Sequence, residues 1–452
     1  MQRSDTRDLS TSYRPLNYAV MLRSVKDLHT DTIEEFVTRI RGVVILPSGA
    51  EDETIDTDEG RINQYPGMVV KCVDAADVIL AVNFAGENRL LVAVKGGGHN
   101  GAGPDVAEDG VVIDLSGIKF VWVDTAEKTV RVGGGNVWGE VDHATYPFGL
   151  AVPSAGVLSA TSVGDLTHGG GMGYLSRKHG LAIDNLMEAD MVLADGEFVT
   201  VNAHQNADLF WAIRGGGNFG IVTSFKFQAH HVKNVYGGLT LWPVESAGEI
   251  MEWYHNFIHT APNELNGFMA KLVIPGNPFP ESLHKRQLCG IAWCYAGDPD
   301  NATETFKPIL AKSPLFSNIG RMPYPSVQSL FDEMLPGGLQ MQLYPGAGTT
   351  GKTTKCETPE PPRDATPSYL WNGGVSLESG LPAGGSPAGG SGGARGVGLR
   401  SGLPAGGSPA GGYDRFQASF KHNYDRLSKI KKEYDPHNFF KVNQWDPAFN
   451  LF

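Results

Sequence analysis

A chain of 452 residues with 41% hydrophobic content is too long for one compact core and predicts two domains. Its net charge of -12, with no block of clustered Lys and Arg, excludes nucleic acid as the main partner. No run approaches the roughly 18 apolar residues of a membrane span, and the opening MQRSDTRDLSTSYRPL lacks the apolar stretch of an export signal, so no membrane contact and a cytoplasmic location are expected.

In chain order, VKCVDAADVILAVNFAGENRL predicts a strand and then a helix, feeding into the strand LLVAVK. Residues 96–101 read GGGHNG and match the dinucleotide pattern G-x-G-x-x-G, which requires a helix to follow. A proline, an acidic turn and the strand GVVIDLSG follow instead, which disfavours a nicotinamide-dependent reading. TVRVGGGNVWGEVDHATYPFG gives a strand, a glycine turn and a helix. From about residue 236 the pattern becomes GGLTLWPV, an amphipathic helix around EIMEWYHNFIH, then FMAKLVIPG and LCGIAWCYAG, a second sheet with helices on one face. Near the end, YDRLSKIKKEYDPHNFF places Leu427, Ile430 and Tyr434 at helical spacing, and Asp435-Pro436 stops the helix.

Four cysteines, Cys72, Cys289, Cys294 and Cys356, form no C-x-x-C pair, so neither a metal site nor a disulfide framework is indicated. Cys289 and Cys294 flank GIAW on one predicted strand and read as buried hydrophobes. The dodecamer SGLPAGGSPAGG occurs at 379–390 and again at 401–412. Gly, Ser, Ala and Pro in that proportion build no core, so the segment reads as a weakly ordered linker, with a recent duplication as the alternative. Asn301-Ala302-Thr303 fits a glycosylation acceptor and is expected to be a surface turn.

Four glycine clusters stand at predicted strand ends: KGGGHN (95–100), VGGGN (132–136), HGGGMG (168–173) and RGGGNFG (214–220). Together they suggest a long cofactor threaded through backbone loops, its diphosphate met by N–H groups. KGGGHN, then GVLSATSVGDLTHGGGMGYLSRKHGLAIDNL, then ADLFWAIRGGGNFGIVTSF, then YDRLSKIKKEYDPHNFFKVNQ resemble the berberine bridge enzyme-like branch of the FAD-linked oxidases, to which sugar, oligosaccharide and 6-hydroxynicotine oxidases are similar. The resemblance covers the chain except about residues 350–412.

The resemblance implies an α+β fold: a two-part FAD-binding domain of the vanillyl-alcohol-oxidase or PCMH type, and a substrate domain whose antiparallel sheet is covered by helices. The implied boundaries are 1–62 and 63–235 for the flavin domain, 236–372 for the substrate domain, 373–412 for the repeats and 413–452 for a segment returning to the flavin domain. It implies FAD joined by one covalent bond through His99, which as a neutral imidazole is a competent nucleophile. Leu158 stands where some members carry a second, cysteine tether. Gly96, Gly97, Gly98, Asn100 and Gly101 would lie along the pyrophosphate, with Thr161, Gly164, Gly169, Gly171 and Gly173 on the ribityl and pyrophosphate path. Ile221 would sit near the adenine, and Asn443 and Gln444 would return to the flavin.

The sequence departs from the pattern at Lys95, where arginine is usual, at Ser162 and Asp165, where glycines are usual, and at His168, where an aliphatic residue is usual. An aspartate close to a diphosphate is repelled unless it points away; His168 is expected to cap a turn. The implied reaction is hydride transfer from a hydroxyl- or amine-bearing small molecule to FAD, with O2 as the acceptor giving H2O2. In the family the catalytic base comes from late strands of the substrate sheet, expected near the repeats, so no base is named; Tyr369 and Trp371, just before them, face either the pocket or the core. A flavin-binding member with an incomplete substrate sheet and little turnover is the alternative.

Overall fold

The computed structural model describes residues 22–47, 65–96, 107–154, 160–215, 218–332 and 423–440, together with the backbone of 341–345. The expectations for Gly97 to Gly101, Leu158, Tyr369, Trp371, the repeats, Asn443 and Gln444 lie outside these residues, as does Cys356.

The first sheet contains β1 (Val43–Ile45), β2 (Met68–Lys71), β3 (Val92–Lys95) and β4 (Val111–Asp114) in the order β1-β2-β4-β3. β2 and β3 both run parallel to β4, and β1 is antiparallel to β2. The strands MVVK, VAVK and VVID are apolar almost throughout, as suits parallel strands covered on both faces. The crossover helix Ala75–Asn88 begins at Asp74, whose carboxylate accepts from the Asp77 N–H at 3.1 Å, and ends at Arg89 in the left-handed conformation. It buries Val78, Ala81, Val82 and Ala85 against Val70, Val92 and Ile113.

A second, antiparallel sheet is built from β5 (Val121–Asp124), β6 (Thr129–Gly133), β8 (Leu186–Val192), β9 (Phe198–Asn202) and β10 (Ile221–Gln228), in the order β5-β6-β10-β8-β9. β7 (Leu150–Ala151) pairs separately with β11 (His230–His231). Inward residues Val130, Val132, Met191, Phe225 and Phe227 pack against Trp138 and Val141 of the helix Trp138–Thr145. The helix Tyr424–Tyr434 inserts Leu427 and Ile430 into the same core, while Phe439 and Phe440 enter the core of the first sheet. Each fully buried side chain of this size is worth about 1.5–3 kcal/mol, so the helical spacing of the C-terminal segment translates directly into a return to the first half of the fold.

The third sheet is antiparallel throughout: β12 (Asn234–Pro243), β13 (Leu265–Val273), β14 (Gln287–Tyr295), β15 (Phe316–Ser317), β16 (Gly320–Pro323) and β17 (Met341–Pro345), in the order β15-β12-β14-β13-β17 with β16 also on β12. Alternation divides its side chains. Met269, Cys289, Ile291, Trp293 and Tyr295 face the helices Ala247–Thr260 and Ala302–Leu310. Phe268, Ala270, Leu272, Leu288, Ala292 and Cys294 face the other way, toward Ala151, Tyr174 and Leu175 of the first half. Cys289 and Cys294 therefore lie on opposite faces of one strand, both buried and free, and burial pushes both thiols up. Among the described residues no helix is long and apolar enough to cross a membrane.

Candidate functional site

The glycine segments converge. At the end of β3, a β-carbon on Gly96 would stand 2.7 Å from Ser162 Oγ and 3.6 Å from both carboxylate oxygens of Asp165. The main chain at the end of β3 thus comes against the side chains of Ser162 and Asp165, where a side chain at position 96 would have no room. Ser162 caps the short helix Val163–His168, its hydroxyl 3.5 Å from the Asp165 N–H. Gly164 in its first turn is buried, packed at van der Waals distance against the Gly134 carbonyl and the Phe225 ring, both at 3.8 Å.

The second cluster has a packing task. Side chains at Gly133, Gly134 and Gly135 would run into the carbonyls of Ile118, Val222 and Leu115 at 2.2, 2.5 and 1.8 Å. These glycines admit neighbouring strands and loops. Their turn then fastens the third cluster from behind: Val163 N–H donates to the Asn136 carbonyl at 3.0 Å, and Trp138 N–H to the Thr161 carbonyl at 2.9 Å.

Beyond the helix, Gly170 and Gly171 adopt φ of 93° and 76°. Their carbonyls accept from Ile183 and Ala182 N–H groups at 3.1 and 2.9 Å, which turns the chain back on itself. Gly173 N–H donates to Ser176 Oγ at 2.8 Å, and its carbonyl accepts from the Asn266 side-chain amide of β13 at 2.9 Å. Ile221 is 1% exposed and its side chain belongs to the core shared with Val192, leaving only its backbone to meet a ligand.

Asp165 does not point away from the cradle; its carboxylate lies against Gly96. His168 ends the same helix, its ring edge-on to Phe225 at 5.7 Å and bonded to the Gly164 carbonyl one turn back, which is the turn-capping role expected of it. Burial lowers its pKa to about 4, so the ring is neutral.

Several residues that hold this arrangement carry no signal of their own in the sequence. The Arg177 guanidinium donates to the carbonyls of Ile258 at 2.7 Å, Ala261 at 3.1 Å and Pro262 at 3.1 Å, and to that of Leu265. It thereby caps the helix Ala247–Thr260 with a positive charge at its C-terminal end. Lys178 reaches the Ala296 carbonyl at 2.8 Å. On the other side, Lys431 is buried and donates to the Asn218 carbonyl and to Asp435 Oδ2, both at 2.7 Å. Asp435 in turn accepts from the N–H groups of Phe439 and Phe440 at 2.6 and 3.0 Å. A cleft of about 550 Å³ lined by Thr200, Asn206, Glu433 and Tyr434 contains none of the glycine segments and is no part of this site.

Residues 66–202 match the model of an FAD binding domain, and residues 404–444 match the berberine and berberine-like model. An FAD-linked oxidoreductase of Dictyostelium discoideum is 33% identical over 321 residues, 69% of this chain and 67% of the relative. The chain belongs to the berberine-like FAD-linked oxidoreductases. The FAD-linked oxidoreductase pgmH of Aspergillus terreus is 34% identical over 313 residues, which are 66% of this chain and 62% of that protein, so the match spans somewhat under two thirds of its length. The crystal structure of 6-hydroxy-D-nicotine oxidase from Arthrobacter nicotinovorans superposes with a TM-score of 0.68 at 21% identity, covering 90% of this chain and 98% of that one, and shares its fold. Gly96, which leaves no room for a side chain beside Ser162 and Asp165, brings the end of β3 against the glycine-rich Ser162–Gly173 segment, a setting that suits the diphosphate of FAD. Asp165 is the one described side chain at that cradle whose charge opposes an anionic ligand.

Proposed function

We propose that this protein is an FAD-dependent oxidase of a hydroxyl- or amine-bearing small molecule, sugar or alkaloid-like, with O2 as acceptor and H2O2 as product. The observation that carries the reading is the Asn266–Gly173 hydrogen bond, because it sets the third sheet directly on the glycine segment expected to bear the cofactor. A substrate entering between them meets a sheet on one side and a main-chain cradle on the other, which supplies orientation and excludes water.

FAD, when bound, supplies hydride acceptance and the later reaction with O2. The chain's part is to hold it. In this reading Gly96, Gly97, Gly98, Asn100 and Gly101 offer N–H groups to the diphosphate, and Thr161, Gly164, Gly169, Gly171 and Gly173 line the path to the ring. The Ile221 backbone lies by the adenine, Asn443 and Gln444 approach from the C-terminal segment, and His99 carries the single covalent bond. The six-stranded sheet of the structure and the amine substrate named for the solved 6-hydroxy-D-nicotine oxidase both support the substrate class.

The second reading is a flavin-binding member with little turnover because its substrate sheet is incomplete; Asp165 beside Gly96 adds that the hold on the diphosphate is weakened. Acid denaturation of the purified protein beside His99→Ala, followed by separation from small molecules, tests the covalent bond: flavin should stay with the wild type and leave the variant. Peroxide release on a panel of sugars, alcohols and cyclic amines tests the oxidase. A flavin-loaded protein silent on the whole panel would favour the second reading, and flavin lost from both proteins would remove the covalent bond.

A further inference from the structure

A chain of buried polar groups crosses the seam between the first half of the fold and the third sheet. Asp142, on the helix Trp138–Thr145, is 2% exposed. Gln328, at the end of the helix Tyr324–Gln328 that follows β16, is equally buried and directs its amide to Asp142 Oδ2 at 3.4 Å and to Ser154 Oγ. Ser154 is wholly buried and precedes the segment leading to Thr161 and the cradle. Tyr324, one turn before Gln328, lies beside Ser154 and within the electrostatic reach of Asp142, Tyr174 and Cys294.

Among the described residues no lysine, arginine or histidine bears on Asp142; burial and Gln328 are what act on it. Its Oδ1 has no hydrogen-bond partner among the described residues, and Oδ2 has a single donor near the limit of hydrogen bonding. A buried carboxylate needs a cation or several donors, and without them it is neutralised. The neutral acid is therefore the form this seam accommodates, and burial pushes its pKa up to about 8.

We propose that Asp142 is a positioning residue that works as a neutral carboxylic acid: with Gln328 it ties Ser154, and the glycine segment beyond it, to the third sheet, and loss of its proton to mildly alkaline solvent loosens that tie. The anion demands more donors than Gln328 can provide, so water must enter between the two helices. The tie itself rests on described side chains; only its consequence for the cofactor rests on the flavin reading above.

The test compares wild type with Asp142→Asn, which keeps the shape of the neutral acid, in the purified full chain between pH 4 and 10. Because the folded acid keeps its proton while the unfolded one has lost it, the wild-type folding equilibrium should fall relative to the variant by up to about tenfold per pH unit above pH 4. That difference should level off near pH 8. Tryptophan fluorescence and, in flavin-bearing protein, visible circular dichroism should change in the wild type with a midpoint near pH 8 and stay flat in the variant. A purely structural role would shift stability equally at every pH. Should Asp142→Asn fail to fold, Gln328→Leu removes the one donor and should move the wild-type midpoint upward. A midpoint that persists in Asp142→Asn, or that Gln328→Leu leaves in place, overturns the proposal. Protein without flavin that still shows the fluorescence transition would sink the flavin reading and leave the tie intact.

Discussion

The side-chain amide of Asn266 donates to the carbonyl of Gly173 at 2.9 Å, and both groups are buried. Through this bond β13 of the third sheet is fastened to a glycine of the first half. Asn266→Ala leaves the Gly173 carbonyl without this donor, at a cost of about 1–3 kcal/mol. Urea denaturation should report that loss, together with a lower proportion of flavin-bearing chains. Unchanged stability and flavin content would mean that the sheet is held elsewhere.

Arg177 carries the larger share of the same junction. Its guanidinium serves four carbonyls of the helix Ala247–Thr260 and the turn after it, a planar fork that lysine cannot imitate. Arg177→Ala should cost on the order of 3 kcal/mol, since bonds from a charged donor are worth about 1.5–3 kcal/mol each and partly overlap. Arg177→Lys should recover less than half. Equal denaturation midpoints for Arg177→Lys and wild type would refute the fork.

The Lys431–Asp435 pair fixes the fourth glycine cluster from the far end of the chain. Removing the cation strands a buried carboxylate, so Lys431→Met should destabilise by about 3–5 kcal/mol. Adding Asp435→Asn removes the stranded charge, and the double variant should be more stable than Lys431→Met alone. A double variant no better than the single one would show that the charge balance is not what matters.

Three histidines set the acid limit. His179 and His230 stack face to face at 3.9 Å, and the His230 Nε2–H donates to Asn185 Oδ1 at 2.7 Å, because the Asn185 amide is already donating to two carbonyls. Burial, first of all, lowers His168 to about 4, His179 to about 3 and His230 to about 4; the neighbouring Lys178 adds to the lowering at both stacked rings. The unfolded chain takes up protons near pH 6.5, before the folded one does. Stability should therefore fall as pH drops from about 6.5 toward 4, steeper than one proton would give. His230→Phe keeps the stack and removes one titrating ring, so the slope of unfolding free energy against pH should become shallower in that window; an unaltered slope would exclude the pair.

Asp165 offers a gain of function. At about 4 Å a unit charge repels another by about 1 kcal/mol in water and more in a less polar site. Asp165→Gly should raise the fraction of expressed chains that carry flavin, measured as the ratio of flavin to protein absorbance. A lower ratio would mean that the carboxylate supports the glycine loop.

The elements themselves were legible in the sequence because their causes are local. Short unbroken apolar runs marked the strand LLVAVK and the strand containing Cys289 and Cys294, apolar residues at every third and fourth position marked the helix through Leu427 and Ile430, and each element stands where its pattern puts it. The ordered glycine motifs likewise disclosed the family. What each glycine is for was decided only by tertiary structure: Gly96 leaves room for the side chains of Ser162 and Asp165, whereas Gly133, Gly134 and Gly135 admit carbonyls from strands and loops that the sequence does not place beside them. The same holds for Asn266 with Gly173, Arg177 with Leu265, Gln328 with Asp142 and Lys431 with Asn218, partners 93, 88, 186 and 213 residues apart. Spacing along a chain reveals which face of an element is buried; which polar group meets another across a seam depends on how separate elements pack, and no local periodicity records that.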